Sequence, residues 1–207
     1  RFNVLDTRQH RTDQPCGAPA DFGPVACGTS NASGTLTGAT QESWLGEGLT
    51  SSPATWNVLA QQTILAQTRF LNPFLVPPQI ANLDQWDGYV PFRNRTLNHV
   101  RDAQVRNPIV ISGDIHSSWV NDLRPDFDDA DSPLVGTEFV APSVTSNFPA
   151  AFIPIVQASN AALNPHVRFF DGANHGYLRC EADHGGWRAD IRVVDSITTP
   201  ESPVRTL

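Results

Sequence analysis

Asn107-Pro108-Ile109-Val110-Ile111-Ser112-Gly113-Asp114-Ile115-His116-Ser117-Ser118-Trp119 is the stretch that decides how this chain is read. Pro108–Ile111 is a short, wholly apolar run of the kind that forms a buried strand in an α/β sheet. It runs into Gly113, which can turn without a Cβ penalty and lets another group approach closely, and then into Asp114-Ile115-His116. In extended backbone, residues two apart project to the same side, so Asp114 and His116 are expected to converge on one point. Sites in α/β proteins gather at the carboxyl ends of strands, where this pair falls. A carboxylate offers hard oxygen to calcium, magnesium or iron, and an imidazole offers nitrogen to iron, zinc or manganese. One strand end offering both suits a dinuclear centre that clamps a phosphoryl group. The bland alternative is a loop-capping aspartate and a backbone-bonded histidine.

Working outward, Phe2–Leu5 and Trp56–Ala60 are further short apolar runs with the look of buried strands. The spacing predicts a helix over Gln41–Leu49, with Leu45 and Leu49 on one face and Thr40 as a possible cap. A second helix is predicted within Gly88–Arg106, its buried side marked by Leu97, Val100 and Ala103, and stopped by Asn107-Pro108. Thr137–Val140 and Val167–Phe170 read as strands. Tyr177–Glu181 and Trp187–Asp195 read as a terminal hairpin ending on an antiparallel edge. Strands alternating with helices in this way argue for one α/β domain, or part of one.

A length of 207 residues, 40% hydrophobic and 17% charged, is long enough and apolar enough for a substantial core. The net charge of -7 disfavours sequence-blind attraction to nucleic acid, so no nucleic-acid partner is expected. No apolar run approaches the ~18 residues of a membrane helix. There is no nucleophile elbow of G-x-S-x-G type and no phosphate-cradling glycine loop, which argues against an α/β-hydrolase or a nucleotide cradle. Cys16 and Cys27 flank a loop from Gln14 to Thr37 that is rich in Gly, Pro, Ala and Asn. A disulfide there would stabilise by roughly 2–3 kcal/mol and imply an oxidising compartment; two unpaired loop thiols are the alternative. Cys180 alternates with Leu178 and is expected to be buried and inert.

Several segments, in order, resemble those of the PhoD-like alkaline phosphatases. They are Leu5-Asp-Thr-Arg-Gln-His-Arg11, Ala39-Thr-Gln-Glu-Ser-Trp44 with Trp56-Asn-Val-Leu-Ala-Gln-Gln62, and Trp86-Asp-Gly-Tyr89. Ser112-Gly-Asp-Ile-His-Ser-Ser-Trp119, Thr137-Glu-Phe-Val-Ala-Pro-Ser-Val-Thr-Ser146 and Trp187-Arg-Ala-Asp-Ile-Arg-Val-Val194 complete the series. The resemblance implies an α/β/β/α metallophosphoesterase sandwich with mixed sheets. It implies metal-dependent hydrolysis of phosphate monoesters or diesters by a metal-activated hydroxide, and export to a secreted or periplasmic location. It implies a centre of iron and calcium, with Asp114 on a calcium and His116 on the iron. The family's other ligands, a cysteine and an acidic, tyrosine-bearing segment, precede the segment that resembles Leu5–Arg11. Residues 1–207 are therefore expected to be the C-terminal half of one catalytic domain, inactive alone. The rival readings are a non-catalytic scaffold derived from the fold and another metal-dependent hydrolase such as a nuclease.

Other residues carry weaker signals. His175 is a phosphate-contacting candidate, since family members vary here and some carry arginine; a turn histidine is the alternative. Gln61 and Gln62 end a strand where related phosphoesterases outside the family place a metal-binding histidine, and structural hydrogen bonding is the expected role for these amides. Asp87 reads as a helix cap, with Trp86 and Tyr89 either packing or walling a cleft. Arg8 and Arg11 are expected to pair with carboxylates, with phosphate contact as the other option. Asp126–Asp131 is expected to be a solvated loop, and His10, His99, His166 and His184 are assigned no role.

Overall fold

A computed structural model of the chain describes residues 1–17, 21–72, 74 and 79–207. The strands are β1 (Phe2–Val4), β2 (Phe22–Pro24), β3 (Asn57–Ala60), β4 (Arg69–Leu71), β5 (Gln79–Asn82) and β6 (Pro108–Ser112). They continue as β7 (Ser118–Leu123), β8 (Gly136–Val140), β9 (Val167–Asp171), β10 (His175–Ala182), β11 (Trp187–Val194) and β12 (Val204–Thr206). The helices are α1 (Val25–Thr29), α2 (Gly38–Thr50), α3 (Val90–Asp102) and α4 (Ile153–Leu163).

A mixed six-stranded sheet in the order β1-β3-β6-β8-β7-β9 forms the centre. The first four strands run parallel, and β7 runs antiparallel to both of its neighbours. All four parallel strands therefore end at one edge, which brings Leu5–Arg8, Gln61-Gln62, Gly113–His116 and Ala141–Ser143 to the same side. Register sets Asn3, Leu59, Val110, Glu138 and Asn121 in one row across the sheet. That face is sealed. Leu59 and Val110 join Leu45 and Leu49 of α2 and Phe92, Leu97 and Val100 of α3 in the largest apolar cluster. A second cluster, around Trp119, Val140 and Val156, brings α4 into contact with the same layer.

The opposite face carries Val4, Ala60, Ile111, Phe139 and Val120 in register. A three-stranded antiparallel sheet, β10-β11-β12, lies on this side. An open groove of about 570 Å³ runs between the two sheets, lined by Val4, Ala60 and Ile111 on one wall and Tyr177, Leu178 and Cys180 on the other. Trp56 stacks obliquely against Trp187 and donates its Nε1–H to the Asp183 carbonyl, fastening the hairpin turn to the entry of β3. Helices, a mixed sheet and a second sheet make three layers of a sandwich. The structure joins Cys16 to Cys27, with Cα atoms 5.7 Å apart. Residues 18–20 of the intervening loop lie outside the described residues.

Some details differ from the reading of the sequence. Helix α2 begins at Gly38, so Thr40 lies inside it, and the hydroxyl of Thr35 accepts the Thr37 and Gly38 N–H groups instead. Helix α3 stops at Asp102, because Gln104 and then Asn107 adopt left-handed backbone before Pro108 is reached. Strand β11 is not an edge: β12 pairs along its far side. Cys180 is exposed, because its part of β10 faces the groove rather than the core; partial burial pushes its thiol pKa up, which still leaves it unreactive. Trp86 and Tyr89 are fully buried, so they pack and do not wall a cleft. Asp87 does not cap α3 but pairs with buried Arg93 and accepts the Thr68 N–H. Two histidines assigned no role from the sequence have structural ones: His166 is buried against Phe127 and bonded to the Gln67 carbonyl, and His99 ties α3 to the Gly46 carbonyl of α2.

Candidate active site

Past Ser112 the backbone does not stay extended. Asp114 has φ 71° and His116 φ 57°, both in the left-handed region, and the Ile115 N–H turns back to the Gly113 carbonyl at 2.9 Å. The pleat therefore does not align Asp114 with His116; a double kink takes its place. Left-handed backbone is uncommon outside glycine, although Asp and His are among the residues that tolerate it best. Each such residue costs on the order of 1 kcal/mol, and conformations of this kind persist where surrounding contacts enforce them. Here Ile115 packs against the Trp119 cluster, while Asp114 and His116 on either side of it are exposed. The half-buried isoleucine, packed on that cluster, anchors the loop and leaves its carboxylate and imidazole facing solvent at the carboxyl edge of the sheet.

Neighbouring strand ends support the kink. The Gly113 N–H bonds to the Gln62 carbonyl, and the Gln62 side chain receives the Thr7 N–H and hydroxyl while donating to the Leu5 carbonyl. Gln61 accepts from Trp86 Nε1 and the Thr63 N–H, and donates to the Thr63 carbonyl. Both amides thus serve the framework. Beneath the loop, Glu138 is 0% exposed and its carboxylate accepts from Leu65 N, Ala66 N, Ser112 Oγ and Asn121 Nδ2. Burial pushes its pKa up, against the pull of those donors. Three segments are locked to β8 through this one side chain, including the residue two before Asp114.

On the solvent side, Asp114 Oδ1 accepts from Arg8 at 3.2 Å, and its side chain is 40% exposed. The other nitrogen of the Arg8 fork lies 2.6 Å from Asp84 Oδ2. Asp84 also takes Arg11 at 2.7 Å and the Gln14 amide at 2.6 Å. Burial alone would raise the Asp84 pKa, but the two guanidiniums outweigh it and hold the carboxyl below its ordinary range. Burial would likewise lower Arg8, and Asp84 and Asp114 together raise it. Both arginines therefore pair with carboxylates, as expected, but Asp84 carried no sign of its role as their partner.

His175 opens β10, and the next N–H, of Gly176, bonds to the Ser143 carbonyl just beyond β8. That bond sets His175 at the same edge of the sheet. Among the described residues, no hydrogen bond joins it to Asp114 or His116, and no group of three or more His, Cys, Asp or Glu side chains is clustered as a metal site. Asp128 of the acidic run pairs with Arg69 at 2.7 Å. No helix among the described residues is long and apolar enough to cross a membrane.

A mixed sheet backed by helices and faced by a second sheet thus carries an exposed carboxylate and imidazole at its carboxyl edge. The chain belongs to the PhoD-like phosphatase family, whose profile matches residues 1–191. It is 39% identical over 206 residues to alkaline phosphatase D of Bacillus subtilis (strain 168), covering 99% of this chain and 34% of that protein. A solved structure of PhoD superposes with a TM-score of 0.82 at 36% identity, covering 99% of this chain and 38% of that one. The chain thus spans little more than a third of the length of these relatives.

Proposed function

We propose that this chain supplies the Asp114–His116 portion of a metal-dependent phosphoesterase centre that hydrolyses phosphate monoesters or diesters. The observation that carries this reading is the left-handed Asp114-Ile115-His116 loop, held by Ile115 packed half-buried on the Trp119 cluster so that both donors face solvent at the strand ends. The family and the similarity to alkaline phosphatase D support the reaction class.

Asp114 offers hard oxygen and His116 imidazole nitrogen, a donor set that fits a calcium and iron pair respectively. Bound cations of this kind lower the pKa of water toward neutrality and stabilise charge on phosphoryl oxygens. Catalytic centres built on imidazole and carboxylate commonly draw three protein ligands per metal, and Asp114 and His116 supply one each, so residues 1–207 alone are expected to be inactive. In this reading the chain is one half of a single catalytic domain, with the remaining ligands contributed from outside residues 1–207. His175, at the same edge, is proposed to contact the phosphate. Similarity to the Bacillus enzyme and the Cys16–Cys27 link both favour a secreted or periplasmic location.

The test is turnover of a chromogenic phosphate monoester and the matching diester by the full-length protein, with metal content measured on the same sample. Asp114→Ala and His116→Ala are expected to lose at least about 10³-fold in rate together with bound metal. Wild-type turnover in either variant would overturn the assignment.

A further inference from the structure

The geometry points to Arg8 as the residue that grips the phosphoryl group beside Asp114, with Asp84 as the positioning residue that aims it. This inference rests on the proposed phosphoesterase reading and adds a substrate contact to it.

Arg8 sits four residues past β1, at the carboxyl edge that also carries Asp114. Its two terminal nitrogens do different things. Nη1 is 2.6 Å from Asp84, whose own position is fixed by Arg11 and Gln14. Nη2 reaches past Asp84 to within 3.2 Å of Asp114 Oδ1. One half of the fork is thus anchored to the framework, and the other is delivered to the spot where a phosphoryl oxygen would lie beside Asp114. A planar guanidinium matches phosphate oxygens in just this way, and a pre-oriented one loses little freedom on binding. The side chain remains 34% exposed, so a ligand can reach it.

Charge supports the same assignment. Arg8 and Arg11 face Asp84 and Asp114, two positive charges against two negative. When Asp114 serves a cation, the remaining trio of Arg8, Arg11 and Asp84 carries one positive charge in excess, at the point where an anion must dock. Asp6 stands outside this balance, because its Oδ1 is turned onto the backbone N–H groups of Arg8 and Gln9.

The experiment uses the full-length, metal-loaded protein with inorganic phosphate as the probe, followed by calorimetry, alongside steady-state kinetics on a phosphate monoester. Loss of a charge-assisted contact of this kind is expected to weaken phosphate binding and raise KM by about 10- to 100-fold in Arg8→Ala, with metal stoichiometry unchanged. Arg8→Lys, which keeps the charge and loses the fork, should recover part of the affinity and guards against a folding failure in the alanine variant. Asp84→Asn should weaken phosphate binding less than Arg8→Ala, and add nothing on top of it, if it acts only by aiming Arg8. Wild-type phosphate affinity and KM in both Arg8 variants would overturn the inference, as would affinity lost only in step with metal. A wild-type protein that turns over esters while ignoring Arg8 sinks this inference alone. One that binds phosphate through Arg8 but hydrolyses no ester sinks the hydrolytic reading alone.

Discussion

Two carboxylates lie close to the same strand end, one sealed in the interior and one near the surface, and they are handled in opposite ways. Glu138 is sealed and satisfied entirely by neutral donors, from Leu65, Ala66, Ser112 and Asn121. Asp84 is near the surface, held by two guanidiniums and an amide. The sealed cluster has no freedom to exchange partners, because each donor left without an acceptor in the interior costs its full desolvation. Beside Asp84, the exposed Arg8–Asp114 pair can be traded for a ligand at little cost, since exposed ion pairs contribute only about 0–1 kcal/mol. Rigidity inside and exchangeability at the surface is the division of labour that a binding edge requires.

That contrast can be broken by substitution. The largest stability effect is expected in the sealed layer, from Asp87→Ala, which strands Arg93 in the core beside Phe127 and should cost about 3–5 kcal/mol in denaturant unfolding. Glu138→Gln comes next. Its amide NH₂ must face N–H or hydroxyl donors that the carboxylate accepted, and a loss of about 2–3 kcal/mol is expected by the same measurement. Asp84→Asn, which keeps the side chain's shape and its hydrogen-bonding oxygen, is expected to cost less stability than Glu138→Gln while impairing phosphate affinity. If Asp84→Asn unfolds the protein, or Glu138→Gln leaves it unchanged, the distinction between the two clusters fails.

A smaller effect is expected from pH. Burial pushes the His166 pKa below its ordinary 6.5, so the folded state resists a proton that the unfolded chain accepts. Its contribution to stability is intact above pH ~6.5 and declines as pH falls from there through the folded pKa. Thermal melts from pH 7 to 5 should show that decline, and His166→Gln should flatten it. An identical slope in both proteins would assign the acid sensitivity elsewhere.

How much of this was legible in the sequence depends on whether the cause is local. Strand β6 and the β10–β11 hairpin are written in short-range patterns, and they form where the patterns say. Strand β7 was missed because Asn121 and Asp122 interrupt its apolar alternation; Asn121 is polar and buried because it serves Glu138, a partner seventeen residues away. The Asp114–His116 pair was legible as chemistry but not as geometry. No glycine marks either left-handed position, and the Ile115 packing that enforces them is tertiary. Asp84 was invisible for the same reason, since its partners Arg8, Arg11 and Gln14 lie at least seventy residues earlier in the chain.

The most direct measurement is anomalous diffraction from crystals of the full-length protein grown with its native metals. Metal peaks about 2.0–2.6 Å from an Asp114 carboxylate oxygen and a His116 ring nitrogen are the expected result. Metal bound elsewhere, with the side chains of residues 114 and 116 coordinating nothing, would contradict it.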